Sequence, residues 1–286
     1  MAYRESAHGN VPPTLVIEGR RTGIVQPSGL AVAPSGEVAI TETNGNNTSS
    51  IRFYAPGASG NVAPIGAISC AGSGDPPEQV AFDSQGNLYA EFAGLPRTGG
   101  SEIDIFTPSE QSGCITNNHV IFGSRTGGIN AIGGITVARG TIYSAGGNGV
   151  LEFLTTDNGN VAPRVNLGGP NSGLQIVNGL AVDNNGYLYV GNDTSNAAEI
   201  RIFSPSAHGD VAPIAVISGN RTQLHYVVGV AVSRDGRIFV AGSPNNTDPT
   251  EIVVFPRGAH GNVSPIQVIS GSKTGLSFVQ QIGLRE

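Results

Sequence analysis

Short apolar runs separated by Gly, Pro, Asn and Asp recur along the whole chain. In residues 228–271 four such runs are rich in Val, Ile and Phe, and they cover residues 229–232, 237–241, 251–255 and 265–270. Runs of this length between turn residues are typical of β-strands. No segment keeps a helical period of apolar positions over ten or more residues. The pattern predicts an all-β protein built from four-stranded units.

The turn between the first two runs of a unit is a polar tetrapeptide that ends in Gly. It is SRDG at residues 233–236, and its parallels are APSG, DSQG and DNNG at residues 33–36, 83–86 and 183–186. Glycine accepts the positive φ angle that a tight hairpin requires. These turns predict an antiparallel hairpin between the first and second strands.

One stretch of the sequence is spelled twice, as AHGDVAPIAVISG at residues 207–219 and AHGNVSPIQVISG at residues 259–271. Weaker copies begin at residues 7, 58, 111 and 157. Their common glycine is found at Gly9, Gly60, Gly113, Gly159, Gly209 and Gly261. A period of this length indicates a repeat architecture. We predict one domain over residues 1–286, with repeats at 3–53, 54–106, 107–154, 155–203, 204–255 and an incomplete repeat at 256–286.

Four-stranded meanders at this spacing bury both faces when they stack radially, which predicts a β-propeller. The blade count is open, because six first strands are present but only five copies of the two middle strands. We prefer six blades with the last incomplete; the alternative is five. If the chain closes on itself, residues 14–18 should pair with residues 251–255. One equivalent position of the third strands should hold Phe53, Phe106, Phe153, Phe203 and Phe255.

Residues 179–203, GLAVDNNGYLYVGNDTSNAAEIRIF, resemble an NHL-type repeat. That repeat has Gly, an apolar residue, Ala, Val and Asp, then a turn ending in Gly, an aromatic strand, a loop and Ile-x-Val-Phe. The resemblance covers essentially the whole chain and is weakest in the third copy, where both loops are short. It implies a β-propeller and says little about activity, because enzymes and binding modules share the scaffold.

Composition argues against several classes of partner. The chain has 286 residues, a net charge of −6 and no basic stripe, which argues against nucleic acid. No apolar run approaches the roughly 20 residues that span a bilayer, and the start MAYRESAHGN lacks a signal-peptide pattern. We expect a soluble protein without a membrane partner; the compartment stays open, with secretion through an export signal outside this sequence as one alternative. Cys70 and Cys114 are expected at opposite ends of neighbouring strands, so we expect no disulfide.

Candidate chemistry is expected on the face where loops precede the first strands, since several blades converge there. Enzymes that resemble this scaffold, the gluconolactonase-like and virginiamycin B lyase-like groups, hold a divalent cation around the central opening. Glu78 and Asn178 precede first strands and are suitable oxygen ligands. Ca²⁺ prefers 6–8 oxygens, so two ligands would make a weak site. We therefore predict no cofactor, with a divalent cation at Glu78 and Asn178 as the alternative.

Glu42, in AITETNGNN, resembles the Thr-Glu-loop-Asn signature of the lyase-like group, and His225 with Tyr226 lies in a loop of the same face. Such a pair would supply a general base and an oriented partner. The match does not recur, since the residues that we align with Glu42 are Glu91, Ala145, Asn192 and Gly242. A lone Glu in a Gly/Asn-rich loop is usually solvated, and a His beside a Tyr usually packs the loop.

We therefore predict a non-catalytic NHL-like β-propeller that binds a protein, a small molecule or a carbohydrate on its face. Two alternatives stay open: a metal-dependent lyase or lactonase at the central opening, and a multivalent sugar-binding propeller. His8, His208 and His260 share a repeat position beside the turn glycine, and we interpret them as turn residues. The candidates on the central face are Glu42, Glu78, Asn178, His225 and Tyr226.

Overall fold

The computed structural model describes residues 1–44, 48–69, 77–95, 100–113, 119–195, 197–242, 250–277 and 279–285. Cys70 and Cys114 lie outside these residues, so the expectation about a disulfide stays a prediction. In the described part of the chain no helix has the length and hydropathy needed to cross a bilayer.

The described residues form twenty β-strands in five four-stranded antiparallel sheets, and two short 3-10 helices at Arg20–Thr22 and Pro108–Glu110. Each sheet, here called a blade, takes four consecutive strands in chain order. Blades 1 to 5 contain, in turn: β1 Pro27–Val32, β2 Val38–Asn44, β3 Thr48–Tyr54 and β4 Gly66–Ser69; β5 Pro77–Phe82, β6 Leu88–Leu95, β7 Gly100–Phe106 and β8 Val120–Ile121; β9 Ile135–Ala138, β10 Thr141–Gly146, β11 Gly149–Leu154 and β12 Val165–Gly168; β13 Ile176–Val182, β14 Leu188–Asp193, β15 Ala198–Phe203 and β16 Ala215–Ile217; β17 Val227–Val232, β18 Ile238–Gly242, β19 Glu251–Phe255 and β20 Gln267–Ile269.

This is an all-β propeller arrangement, as the repeat pattern predicted. The described residues give five blades, which was the alternative count, and not the preferred six. The sixth copy of a first strand in the sequence is the run at Leu284, but residues 279–285 form no strand. The physical reason is that the sequence has no sixth copy of the second and third strands to pair with that segment.

The blades belong to two compact units. One unit contains residues 17–166 and Arg285, with blades 1, 2 and 3, although β12 continues past its last residue. The other contains Met1–Val16 and Leu167–Leu284, with blades 4 and 5. Within each unit the first strands of neighbouring blades contact one another, β1 with β5 and β5 with β9 in the first, and β13 with β17 in the second. We call these the N-terminal and C-terminal units.

Apolar clusters between successive blades form the core of each unit. The five phenylalanines of the third strands are all at most 2% exposed, which confirms that they anchor the core. The prediction that all five occupy one equivalent position is wrong for Phe53. Phe106 pairs with Leu88, and the residue that pairs in this way in blade 1 is Tyr54, opposite Val38. Tyr54 fills the anchor position and donates a hydrogen bond of 2.7 Å to the carbonyl of Thr22.

The repeated Gly-Asn pair explains why the thirteen-residue stretch recurs. Gly60 makes a parallel β-bridge to Ile17, one repeat earlier, and Asn61 Oδ1 accepts a hydrogen bond of 2.7 Å from the backbone N–H of Arg21. The glycine has a φ of 75°, in the left-handed region that glycine tolerates best. The same bridge is made by Gly9, Gly113, Gly159, Gly209 and Gly261. We call this contact the clasp, because it ties each turn to an apolar residue of another repeat.

The N-terminal segment does not pair with β19, so the expected pairing of residues 14–18 with residues 251–255 is wrong. Within the C-terminal unit, Ala2 bridges Leu15, and Gly9 clasps Ile269 at the outer strand of blade 5. β19 is already paired on both sides, with β18 and β20, so it has no free edge to offer. The N-terminal segment thus joins blade 5 at its outer strand, β20, and not at its third strand, β19.

The hairpin between the first two strands is shorter in blade 3 than in blade 2. Val137 pairs with Ile142 across four residues, whereas Phe82 pairs with Leu88 across five. The shorter turn places Arg139 at φ 55° and Gly140 at φ 79°. Such two-residue turns favour Asn-Gly, because a residue other than Gly or Asn in the left-handed region costs about 1 kcal/mol. Arg139 is therefore an unusual choice at this position.

Candidate functional site

The loop that precedes blade 1 is held by Glu42, which sequence comparison singled out as a general base. Glu42 lies on β2 and its side chain is fully buried. Its Oε1 and Oε2 atoms each accept a hydrogen bond of 2.9 Å from the backbone N–H of Val25, and Oε2 accepts one of 3.3 Å from Gln26. The carboxylate is therefore engaged with the backbone of the loop.

The strand register corrects the residues that we aligned with Glu42. Ile40 pairs with Leu30 in blade 1, and Ala90 pairs with Val80 in blade 2. Glu42 lies two positions after Ile40, so its equivalent in blade 2 is Phe92 and not Glu91. The register gives Gly146, Asn192 and Gly242 in the other blades. A slip of one residue matters, because it moves a side chain to the other face of the sheet.

Blade 4 holds its loop with a different set of side chains. Asn192 Oδ1 accepts a hydrogen bond of 2.7 Å from the backbone N–H of Gln175, and its Nδ2 donates one of 2.7 Å to Glu199 Oε1. Arg201 Nε lies 2.7 Å from the same carboxylate oxygen, and its guanidinium donates a hydrogen bond of 2.9 Å to the carbonyl of Ser172. The network joins β14, β15 and the loop.

Blades 1 and 4 each contain a glutamate and an arginine near this loop, but the glutamate lies on a different strand in each blade. Ser50 pairs with Glu42 as Glu199 pairs with Asn192, so the acid lies on the second strand in blade 1 and on the third strand in blade 4. Arg52 stands two residues after Ser50, where blade 4 has Arg201. The Nε atom of Arg52 is buried and has no hydrogen-bond partner in the described residues. The loop-facing oxygen is thus retained in both blades, while the carboxylate changes strand.

Asp193 follows Asn192 and links two blades of the C-terminal unit. Its Oδ2 accepts a hydrogen bond of 2.7 Å from Asn178 Nδ2, and its Oδ1 accepts one of 3.2 Å from the backbone N–H of Val227, the first residue of β17. The pKa of Asp193 is raised to about 6, mainly by burial and to a smaller extent by nearby Glu199, while the two hydrogen bonds act in the opposite direction. The carboxyl group of Asp193 therefore titrates nearer to neutral pH than that of an ordinary aspartate.

The remaining sequence candidates differ in burial and in the groups that they contact. Glu78 is half-buried, burial raises its pKa, and its carbonyl accepts a hydrogen bond of 3.1 Å from Thr41. Asn178 meets Asp193 as described. His225 is exposed, and Tyr226 is half-buried with its carbonyl against Gly242. Among the residues that the structure describes, no three His, Cys, Asp or Glu side chains form a group suited to a metal ion.

Sequence reasoning missed Asp193, Glu199 and Arg201. A signal was available, because EIR at residues 199–201 and SIR at residues 50–52 differ only at the acid, and Asn192 and Glu42 differ in the complementary way. It missed the apolar loop tips as well. Val25 and Ile132 of the N-terminal unit are 71% and 67% exposed, and Ile176, the first residue of β13 in the C-terminal unit, is 54% exposed.

Comparison with known proteins supports the fold alone. No protein-family model matches the chain, and no curated protein matches its sequence. A solved protein of unknown function from Bacteroides caccae has a TM-score of 0.60 at 11% identity over 91% of this chain and 87% of that one. The β-propeller domain of Myceliophteria thermophila Cps50 (Swd1) has a TM-score of 0.55 at 9% identity, covering 90% and 72%. The PQQ-bound aldose sugar dehydrogenase of Streptomyces coelicolor has a TM-score of 0.54 at 16% identity, covering 95% and 87%.

Proposed function

We propose that this chain is a non-catalytic, NHL-type β-propeller that binds a protein partner through the loops that precede its first strands. The observation that supports this most directly is the environment of Glu42. A general base must reach a substrate proton, but both oxygens of Glu42 accept hydrogen bonds from the loop backbone and the residue is fully buried. Its role is to fix the loop that carries Val25.

The loop tips have the chemistry of a protein-binding surface. Val25 and Ile132 are largely exposed, and each belongs to a loop that hydrogen bonds hold in place: Val25 N–H to Glu42, and Asn130 N–H to the carbonyl of Ala145. Single exposed apolar residues are common on protein surfaces. Here, however, they stand on loops fixed beforehand, which lowers the entropy cost of binding. Apolar anchors on rigid loops favour a protein surface as the partner.

The experiment compares aspartate substitutions at loop tips with matched exposed residues elsewhere. Val25→Asp and Ile176→Asp place a charge on the proposed surface of the N-terminal and C-terminal units, respectively. Ile65→Asp and Ile214→Asp are their controls in the same units, since these residues are 61% and 58% exposed but lie where the third strand connects to the fourth. A protein retained from the host extract by the immobilised wild-type chain is purified, and its affinity is measured by calorimetry.

The affinity is expected to fall at least about tenfold for Val25→Asp or Ile176→Asp, as when a charge enters an apolar contact. The two control variants should bind as the wild type does. Equal affinity of all four variants would contradict the proposed surface. Turnover of a lactone or of another ester by the wild type, abolished by Glu42→Gln, would instead favour the lyase or lactonase alternative.

A further inference from the structure

The short hairpin of blade 3 leaves a cavity in the N-terminal unit, at the end of the first strands opposite the loops discussed above. The cavity has a volume of about 410 Å³ and lies between the hairpins of blades 2 and 3. Ser84 and Gln85 line one side, Arg139 and Thr155 the other, and Val137 lies between them. We call it the hairpin notch. Its volume lies within the range of small-molecule sites.

The floor of the notch is a fixed polar network. The carboxylate of Asp83 accepts hydrogen bonds from the backbone of Gln85 at 2.9 Å and of Asn87 at 2.8 Å, from Asn87 Nδ2 at 2.7 Å and from the Tyr89 hydroxyl at 3.1 Å. Tyr89 is 1% exposed and also hydrogen-bonds Thr155 of blade 3. The carboxylate of Asp83 is thus engaged by residues of its own blade. The network joins the hairpin of blade 2 to Thr155 of blade 3.

Arg139 differs from the rest of the notch in two ways. It holds a left-handed backbone conformation that Gly or Asn would adopt without strain. Its guanidinium makes no hydrogen bond or ion pair within the described residues, although it interacts electrostatically with Tyr143. Strained residues that persist where an easier residue would serve are often functional. The exposed Arg139 lines the notch together with Ser84, Gln85 and Thr155, so it brings a planar cation to a cavity with polar walls.

We propose that the hairpin notch binds a small hydroxylated carboxylate of the uronic acid class. The guanidinium of Arg139 pairs with the ligand carboxylate through two parallel hydrogen bonds. Ser84, Gln85 and Thr155 bind its hydroxyl groups, and Val137 packs against its C–H face. A carboxylate suits the site better than a phosphate, because the nearby Asp83 repels a second negative charge.

A neighbouring depression lacks the positive charge that a uronic acid ligand would need. It has a volume of about 300 Å³ and shares Ser84 and Gln85, but its other side contains Glu37 and no Arg or Lys. No arginine or lysine of that lining offsets the negative charge of Glu37, whereas Arg139 offsets that of Asp83 in the notch. Of these two cavities, only the notch offers a cation to a carboxylate.

The test measures binding of glucuronate and of glucose to the full chain by titration calorimetry and saturation-transfer NMR. Wild type should bind glucuronate at least about tenfold more tightly than glucose, since a charge-assisted pair is lost with the neutral sugar. Arg139→Gly should lose that preference, and Arg139→Lys should keep part of it. The Arg139→Gly chain should be at least as stable as wild type to heat, because glycine relieves the strained turn.

Arg164→Ala is the matched control, because Arg164 is an exposed arginine of the same unit outside the notch, and its loss changes the net charge equally. It should bind glucuronate as wild type does. No glucuronate binding by wild type at about 10 mM would overturn the proposal, as would equal binding by Arg139→Gly and Arg164→Ala. A lower melting temperature for Arg139→Gly would contradict the strain argument, and Ser84→Ala then tests the site without altering the turn.

Discussion

Asp193 illustrates how a buried carboxyl group acts on both stability and local structure. The side chain is 6% exposed, and burial raises its pKa from 3.8 to about 6. Hydrogen bonds from Asn178 and Val227 favour the charged form, but burial has the larger effect. The folded protein therefore holds this proton more tightly than the unfolded chain does. Its linkage to stability follows directly from that difference.

Asp193→Asn is expected to stabilise the protein above pH 6 and to change little below pH 4. In the wild type, the contribution of Asp193 is most favourable below the unfolded pKa of 3.8 and is lost as pH rises through the folded pKa of about 6. Two pKa units correspond to about 3 kcal/mol, which is the expected upper limit of the gain at pH 7. Asparagine keeps an acceptor for Val227, and the Asn178 amide can turn to accept from the new amide.

The measurement is urea denaturation of both proteins at pH 4 and pH 7. The stability of the wild type should decrease over that interval relative to the variant. Asn178→Ala serves as a control, because it removes a hydrogen bond that favours the charged form of Asp193. The stability of this variant should depend more steeply on pH than that of the wild type. A constant difference between wild type and Asp193→Asn at both pH values would show that Asp193 is not the titrating group.

At the scale of the element, the clasp converts one repeated dipeptide into a contact between successive repeats. In the copy at Gly159, Asn160 Oδ1 accepts a hydrogen bond of 2.9 Å from the backbone N–H of Arg125. The fifth copy has Asp210 instead, whose Oδ1 accepts hydrogen bonds from the backbone N–H groups of Asn171 at 2.7 Å and of Ser172 at 3.1 Å. What the position requires is an acceptor oxygen on a short side chain, as at the N-terminus of a helix.

Asn160→Ala is expected to lower the free energy of unfolding by about 1 kcal/mol, because it leaves the Arg125 N–H without its acceptor. Asn160→Asp should be close to neutral, since Asp210 serves the same purpose in its own repeat. Both effects are measured by chemical denaturation at pH 7. Similar losses in the two variants would indicate that side-chain packing, and not the acceptor oxygen, stabilises the turn.

The repeats made the position of most strands and turns predictable. The face of the sheet to which a given side chain points was not predictable from the repeats. The strands, the Gly-ended hairpins and four of the five anchor phenylalanines follow from spacing alone. Tyr54 was missed because it directly follows Phe53, and a shift of one residue is invisible in a short apolar run. The same uncertainty of one residue led to the alignment of Glu91, instead of Phe92, with Glu42.

The candidate site was less predictable, because its chemistry depends on which side chains face each other across strands. Glu42 was found from its motif, but its bonds to Val25 and Gln26 require the folded loop. Asp193 gains its raised pKa from burial next to Val227, which lies 34 residues away in sequence. The sequence also contains a signal for Arg139, since Arg-Gly at a two-residue hairpin departs from the preferred Asn-Gly.

At the scale of the molecule, the terminal segments complete the C-terminal unit. Ala241, Ile252, Ile269 and Leu276 form an apolar cluster on blade 5, and Tyr3, Ala7 and Val11 pack against it from the N-terminal segment. The Tyr3 hydroxyl donates a hydrogen bond to the carbonyl of Thr274. Residues distant in sequence thus cover a surface that neighbouring blades cover elsewhere.

Deleting residues 1–11 should expose the cluster on blade 5 and make the protein associate. The deletion also removes the clasp between Gly9 and Ile269, which leaves the outer strand β20 with an unpaired edge. We expect the free energy of unfolding to fall by about 2–3 kcal/mol, because apolar side chains of blade 5 become exposed to water, and we expect polydisperse species in light scattering after size exclusion. Glu5→Ala is the control, because it removes only the ion pair with Arg237 in the same segment. A truncated chain that keeps the light-scattering mass and the denaturation midpoint of the Glu5→Ala protein would show that the N-terminal segment does not protect this surface.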